Sequence, residues 1–166
     1  MIRMTRSANP RRHAASGFSL IELLIVVTII LILAAIAIPK YLSVKEVANE
    51  AAAVSAMNAI QNAEMAYSGA YGGYSATLAD LGGPVGGVPT ATAAELLNSD
   101  LGQTTPTKSG YVFTYATQGS TPFELFTINA DPEIVGVTGV RHFFSNQSAV
   151  VHYRVGGQAG VSDPVL

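Results

Sequence analysis

Gly17-Phe18-Ser19-Leu20-Ile21-Glu22, followed by the run from Leu23 to Ile38, is the stretch on which the reading of this chain depends. The sixteen residues from Leu23 to Ile38 carry no charge and one polar side chain, Thr28. As a helix, the 21 residues from Phe18 to Ile38 extend roughly 31 Å at 1.5 Å per residue. That matches the ~30 Å hydrocarbon core of a bilayer. No other segment approaches the roughly 18 consecutive apolar residues that a span needs. The excess behind the 49% hydrophobic content of the 166 residues is therefore concentrated at one end, and the remainder is polar enough to fold in water as one domain.

Charge divides the chain in the same place. Residues 1–17 hold Arg3, Arg6, Arg11 and Arg12 and no acid, a formal +4. Residues 18–166 hold five Lys/Arg against eleven Asp/Glu, a formal −6. An acidic chain is a poor nucleic-acid binder, because unspecific binding runs on lysine and arginine. Cysteine is absent, which excludes a disulfide framework, a thiol nucleophile and a cysteine metal site.

The basic segment 1–17 reads as a leader held on the cytoplasmic side by its arginines, which orients the apolar stretch N-terminus inward. An ordinary secretory signal places its small-residue cleavage site after the apolar core. Here Ala14-Ala15-Ser16-Gly17 precede the core, and Pro39-Lys40-Tyr41 follow it. Cleavage at Gly17 leaves the span attached to the mature chain; a plain uncleaved signal anchor is the competing reading. Segment order alone leaves both open. Glu22 bears on the choice. A carboxylate at the centre of a span costs about 2.5–3.5 kcal/mol, less near an end, and such residues ask for a partner. If Phe18 becomes the N-terminus, its α-amine carries a positive charge near Glu22, within one chain or between neighbouring chains. The bland alternative is a glutamate that reaches up to the headgroups.

Gly17 to Glu22, the apolar run and Ile38-Pro39-Lys40-Tyr41 together resemble the prepilin signature of type IV pilins and type II secretion pseudopilins. The resemblance implies a membrane peptidase that cuts after Gly17 and N-methylates Phe18. It also implies that Glu22, fifth in the mature chain, is needed for assembly. Two departures stand out. The leader is longer than that of many type IVa pilins, and Leu31 occupies a place where many pilins carry glycine. Leucine favours helix over glycine by roughly 0.5–1 kcal/mol, which leaves Pro39 as the main weak point of the helix.

Pro39 lacks an N–H and clashes with the carbonyl four residues back, at Ala35, so a kink is expected there. Residues 39–68 form the amphipathic continuation, rich in alanine, glutamate, methionine and lysine. One long helix is expected from Phe18 to about Ser68, with 18–38 as span and filament core. Two apolar stripes are visible: Val47, Ala51, Val54 and Met65 on one side, and Met57, Ile60, Tyr67, Tyr71 and Tyr74 drifting to another. Such breadth suits a helix packed on its own domain and on other helices. Residues 69–108 read as a loop rich in glycine and proline, broken at Gly69, Gly72 and Gly73. The capping box Thr92-x-x-Glu95 predicts a short helix from Ala93 to Leu101. Residues 109–166 read as an antiparallel sheet of about four strands: one around Tyr111, Phe113 and Tyr115, then Phe123–Asn129, Val140–Phe144 and Ala149–Val155. Ser145 to Ser148 is the expected hairpin turn. The fold class is α+β, with the soluble half of the helix covering one sheet face. Pilins of proteobacteria usually close the C-terminal loop with a disulfide, which this chain lacks, so the course after Gly156 is left open.

Other chemistry is weak. His142 and His152 fall on neighbouring strands with no carboxylate at ligand spacing, and His13 lies in the leader. Asp131 and Glu133 offer two of the six to eight oxygens that calcium requires. Gly17-x-Ser19 is not a nucleophile elbow. No metal, cofactor or enzymatic activity is expected. The expected protein is a type IV prepilin, held in the bacterial inner membrane and then assembled with identical subunits into a surface filament. Its partners would be the prepilin peptidase, the pilus assembly machinery and minor pilins. A pseudopilin of a secretion machine and a non-polymerising anchored binding domain are the alternatives.

Overall fold

The computed structural model describes residues 17–83 and 86–166. The expectations for the leader, residues 1–16, and for Pro84 and Val85 lie outside the described residues. The chain divides into two compact units, Met1–Pro39 and Lys40–Leu166, each taken in turn. Helix α1, Leu20–Tyr71, contributes to both, with Pro39 inside it.

In the first unit, the described chain has no regular structure from Gly17 to Ser19 and is helical from Leu20. Its apolar side chains face outward: Leu24, Ile30 and Ile36 are each more than half exposed, and none of the span is buried. The one hydroxyl in the run is satisfied locally, since Thr28 Oγ1 donates to the Leu24 carbonyl at 2.7 Å. No polar group of that side chain is left needing water, as a bilayer requires.

In the second unit, α1 lies against a five-stranded sheet. The strands are β1 (Thr107–Lys108), β2 (Tyr111–Gln118), β3 (Leu125–Pro132), β4 (Arg141–Asn146) and β5 (His152–Val155). Their spatial order is their sequence order and every pairing is antiparallel, as short connections demand. Alternation decides the faces. Tyr111, Phe113, Phe126, Ile128, Ala130 and Phe143 are buried on one side. They pack with a helical stripe of Ala53, Ala56, Met57, Ile60, Ala63 and Tyr67, whose spacing of three and four residues keeps it on one face. Fully burying one of the larger apolar side chains stabilises by about 1.5–3 kcal/mol.

Three polar residues share that stripe, and two of them, Glu50 and Gln61, pin the helix to the sheet. Glu50 is 4% exposed. Its Oε1 accepts the backbone N–H groups of Val140 (2.9 Å) and Arg141 (3.1 Å), and its Oε2 accepts Arg141 Nε at 2.7 Å. Burial pushes the Glu50 carboxyl upward, but these donors together hold it below its ordinary value. Gln61 donates to Ser145 Oγ on β4. Glu64 accepts the Ser75 N–H at 3.0 Å and its hydroxyl at 2.5 Å, which ties the chain after α1 back onto the helix. Burial dominates there and raises the Glu64 carboxyl. With Arg141 opposite Glu50 and Ser145 opposite Gln61, β4 runs in the same direction as α1.

Several expected boundaries move. Gly69 is helical, and α1 ends only at Tyr71, where Gly72 takes a left-handed φ of 81°. The expected helix from Ala93 to Leu101 does not form. Glu95 sits at φ 55°, and the N–H groups of Ala94, Glu95, Leu96 and Leu97 donate to the carbonyls of Asp80, Gly82 and Leu81. Pairing with an earlier segment wins over the local capping signal, and the Glu95 carboxylate instead accepts the Gly86 N–H. The short helix is α2, Leu78–Leu81, where Asp80 accepts both the N–H and the hydroxyl of Thr77. The sheet has five strands rather than four, because Thr107 and Lys108 add an edge pairing too short for periodicity to reveal. Asp131 and Pro132 belong to β3 rather than to a loop, and β5 starts at His152 rather than Ala149.

The tail after Gly156 is held without a disulfide. It turns at Gly160–Asp163 and comes back along β5, where Tyr153 N–H donates to Pro164 O (2.9 Å) and Leu166 N–H to Val151 O (3.0 Å). His152 Nδ1 lies 2.7 Å from Asp163 O. The tail thereby covers the outer edge of the sheet, which would otherwise present unpaired backbone groups.

Candidate processing and assembly site

Glu22 lies in the first turn of α1. Its Oε2 accepts the backbone N–H of Ser19 at 2.9 Å, while Leu23 N–H donates to Ser19 O at 3.2 Å. Ser19 is thus the residue that opens the helix, and Glu22 is the third position inside it. Ser19-x-x-Glu22 is a capping-box sequence whose glutamate arm is made. The sequence reading singled out Glu22 for its charge and missed this local role, although the Ser-x-x-Glu spacing was the signal for it. The positive end of the helix dipole favours a carboxylate at the same spot by roughly 0.3–1 kcal/mol.

The cap also moves the expected helix start from Phe18 to Leu20, so Phe18 is outside the helix and 74% exposed. Phe18 and Glu22 are not stacked one helical turn apart, because the helix begins only at Leu20. They are joined through Ser19, whose N–H the carboxylate already holds. Gly17 is exposed, and among the described residues a Cβ built there meets nothing within 4 Å. Glycine at this position answers no packing demand of the described chain.

The other candidates resolve differently. His142 Nδ1 lies 2.6 Å from Asp131 Oδ1 across β4 and β3, so the carboxylate thought of for calcium faces a histidine. Phe144 pairs with His152 and His142 with Arg154, which puts both histidines on the sheet face away from the helix. Among the described residues, no group of three or more His, Asp or Glu side chains is placed to hold a metal ion.

Residues 12–38 match the family described as the prokaryotic N-terminal methylation motif. The match includes Gly17, Phe18, Glu22 and the exposed apolar turns of α1. No curated protein and no solved structure matches the chain. The matched motif, which takes in the apolar N-terminal part of the long helix, supports a prepilin of the type IV pilin and pseudopilin kind.

Proposed function

We propose that this chain is a structural subunit of a type IV pilus, cleaved after Gly17, N-methylated at Phe18 and polymerised through its N-terminal helix. One observation carries the reading: a single carboxylate, Glu22, opens the otherwise uncharged stretch of α1 up to Ile38, whose large apolar side chains all lie open, directly behind an exposed Gly-Phe bond. So large an exposed apolar surface marks a membrane or protein interface. The precursor rests in the inner membrane; the filament then exchanges lipid contacts for helix contacts. The prepilin peptidase, the assembly machinery, minor pilins and identical subunits are its partners.

Cleavage changes the surroundings of Glu22. Before it, the carboxylate caps the helix through the Ser19 N–H. After it, the Phe18 nitrogen becomes an ammonium one residue away. In a packed filament the Glu22 carboxylate of one subunit meets the Phe18 amine of the next and sets axial register. A lone charge left in that dry core costs several kcal/mol, whereas the pair adds little net stability. Val47, Ala51 and Val54 border an open groove with Phe143 and Leu166, a face left for neighbouring helices. Pro39 is the point where the helix loosens on leaving the bilayer.

Mass spectrometry of the mature N-terminus tests the processing, with methyl-Phe18 as the expected result and an intact arginine-bearing leader as the refuting one. Imaging of cells for long surface fibres containing this chain tests the pilus; fibres confined to the periplasm would assign it to a secretion pseudopilus.

A further inference from the structure

The loop between β3 and β4 presents four apolar side chains to the outside, and three of them, at its tip, are more than half exposed. Ile134, Val135 and Val137 are 58%, 56% and 52% exposed. Their exposure is built in. Thr138 N–H and Oγ1 both donate to Ile134 O, at 2.9 and 3.2 Å, and Ile134 N–H donates to Thr138 Oγ1 at 3.1 Å. Gly136 N–H donates to Gly139 O at 2.9 Å. The Thr138 hydroxyl is thus turned inward to close the ring and the aliphatic side chains are turned out, with Glu133 exposed at the β3 end of the loop. The ring is fastened to the helix by Asn49, whose Nδ2 donates to Thr138 O at 2.9 Å.

Its position in the second unit is defined. Because β4 runs in the direction of α1 from the level of Glu50 to that of Gln61, the segment before β4 lies toward the Lys40 end of the helix. Lys40 and Lys45 are exposed on that end. This is the end at which the chain enters from its apolar run. We propose that the Ile134–Val137 loop docks into the interfacial layer of the bilayer that anchors the precursor. Lys40 and Lys45 would lie at the anionic headgroups. The proposal rests on the reading of the apolar run as a membrane anchor. Aliphatic side chains on a rigid loop gain by entering the acyl boundary in proportion to the area they bury there. A docked loop would hold the soluble unit in a fixed orientation on the membrane until assembly withdraws it.

The chain contains no tryptophan, so one introduced indole reports on its own surroundings. Val135→Trp and, as the distal control, Val161→Trp are reconstituted as full chains in vesicles of phosphatidylethanolamine and phosphatidylglycerol. Val161 borders a groove with Leu125 and Asn146, near the other end of β4. Flotation with the vesicles measures anchoring independently. The expected result is blue-shifted emission from Val135→Trp that loses most of its intensity to lipids brominated near the top of the acyl chain, with Val161→Trp unaffected. Water-like, unquenched emission from a chain that floats overturns the docking while leaving the anchor intact. A blue shift that depends on protein density and not on brominated lipid also overturns it, assigning the loop to a second copy. A chain that does not float overturns the anchor reading and the docking with it. Val137→Trp provides the same reading should Val135→Trp fail to fold.

Discussion

The Glu50 contact with β4 is the place where one substitution should cost the soluble unit most. Glu50→Ala removes three hydrogen bonds of 2.9, 3.1 and 2.7 Å to an ionised acceptor. It leaves the N–H groups of Val140 and Arg141 facing a shortened side chain. Each hydrogen bond to a charged group contributes about 1.5–3 kcal/mol. The Arg141 side chain is 36% exposed, so water recovers part of its loss. Its guanidinium also keeps its places over Phe143 (5.8 Å) and Tyr153 (5.6 Å). Alanine returns a few tenths of a kcal/mol as the better helix former. The net loss is about 3–4 kcal/mol, near the low end for breaking a buried ion pair. For a unit of this size that lowers the thermal midpoint by roughly 10–15 °C. Glu50→Gln keeps one acceptor oxygen and should fall about halfway between. The assay is near-UV circular dichroism of the detergent-solubilised chain during heating, which follows the sheet tyrosines. The ordering expected is wild type, then Glu50→Gln, then Glu50→Ala. The folded carboxyl is held below its ordinary 4.5, so its stabilisation is complete above that pH and fades as pH falls through the depressed value. The gap between wild type and Glu50→Gln should close in acid. A Glu50→Ala midpoint within about 2 °C of wild type would show that the three bonds are replaced by water at no cost, and the reasoning would fail.

Glu64 has the opposite sign. Its carboxyl is raised by burial, so its contribution is complete below 4.5 and is lost as pH rises through the folded value. The midpoint of Glu64→Gln relative to wild type should therefore climb between acid and neutral pH, and a flat difference would refute this. Protonated Glu64 can donate to Ser75 Oγ, which is then free to donate to Thr77 O at 3.0 Å. Gly17→Glu should fold as wild type, because a side chain there meets no described neighbour, yet accumulate as the uncleaved precursor. A mature-length band on an immunoblot would refute the cleavage site. Glu22→Val should still be cleaved but yield few filaments in a shearing assay, and wild-type yield would remove the register role.

The legible parts were those written in short-range pattern. Leu23 to Ile38 declared a span because bilayer thickness sets a helix length, and no distant contact can alter that. The sheet's inward face was visible at Tyr111, Phe113 and Tyr115 because strand side chains alternate with period two. The alanine-rich soluble helix followed from propensity and the absence of proline beyond Pro39. The methylation motif matched at residues 12–38 was legible for the same reason: Gly17, Phe18 and Glu22 lie within six consecutive residues, close enough to be read together.

Tertiary structure decided what depends on partners far away in sequence. Nothing local to Glu50 and Glu64 says that they are buried, Glu50 against Arg141, 91 residues on, and Glu64 against Ser75. The Thr92-x-x-Glu95 cap lost to backbone pairing with Asp80 to Gly82, since about 1 kcal/mol of local capping preference cannot outweigh four N–H groups that find carbonyls in a packed loop. The tail after Gly156 needed the edge of β5 to exist before its course had a meaning. A helix that crosses a membrane is specified by its own composition. A polar group inside a fold is specified by whichever donor the rest of the chain brings to it.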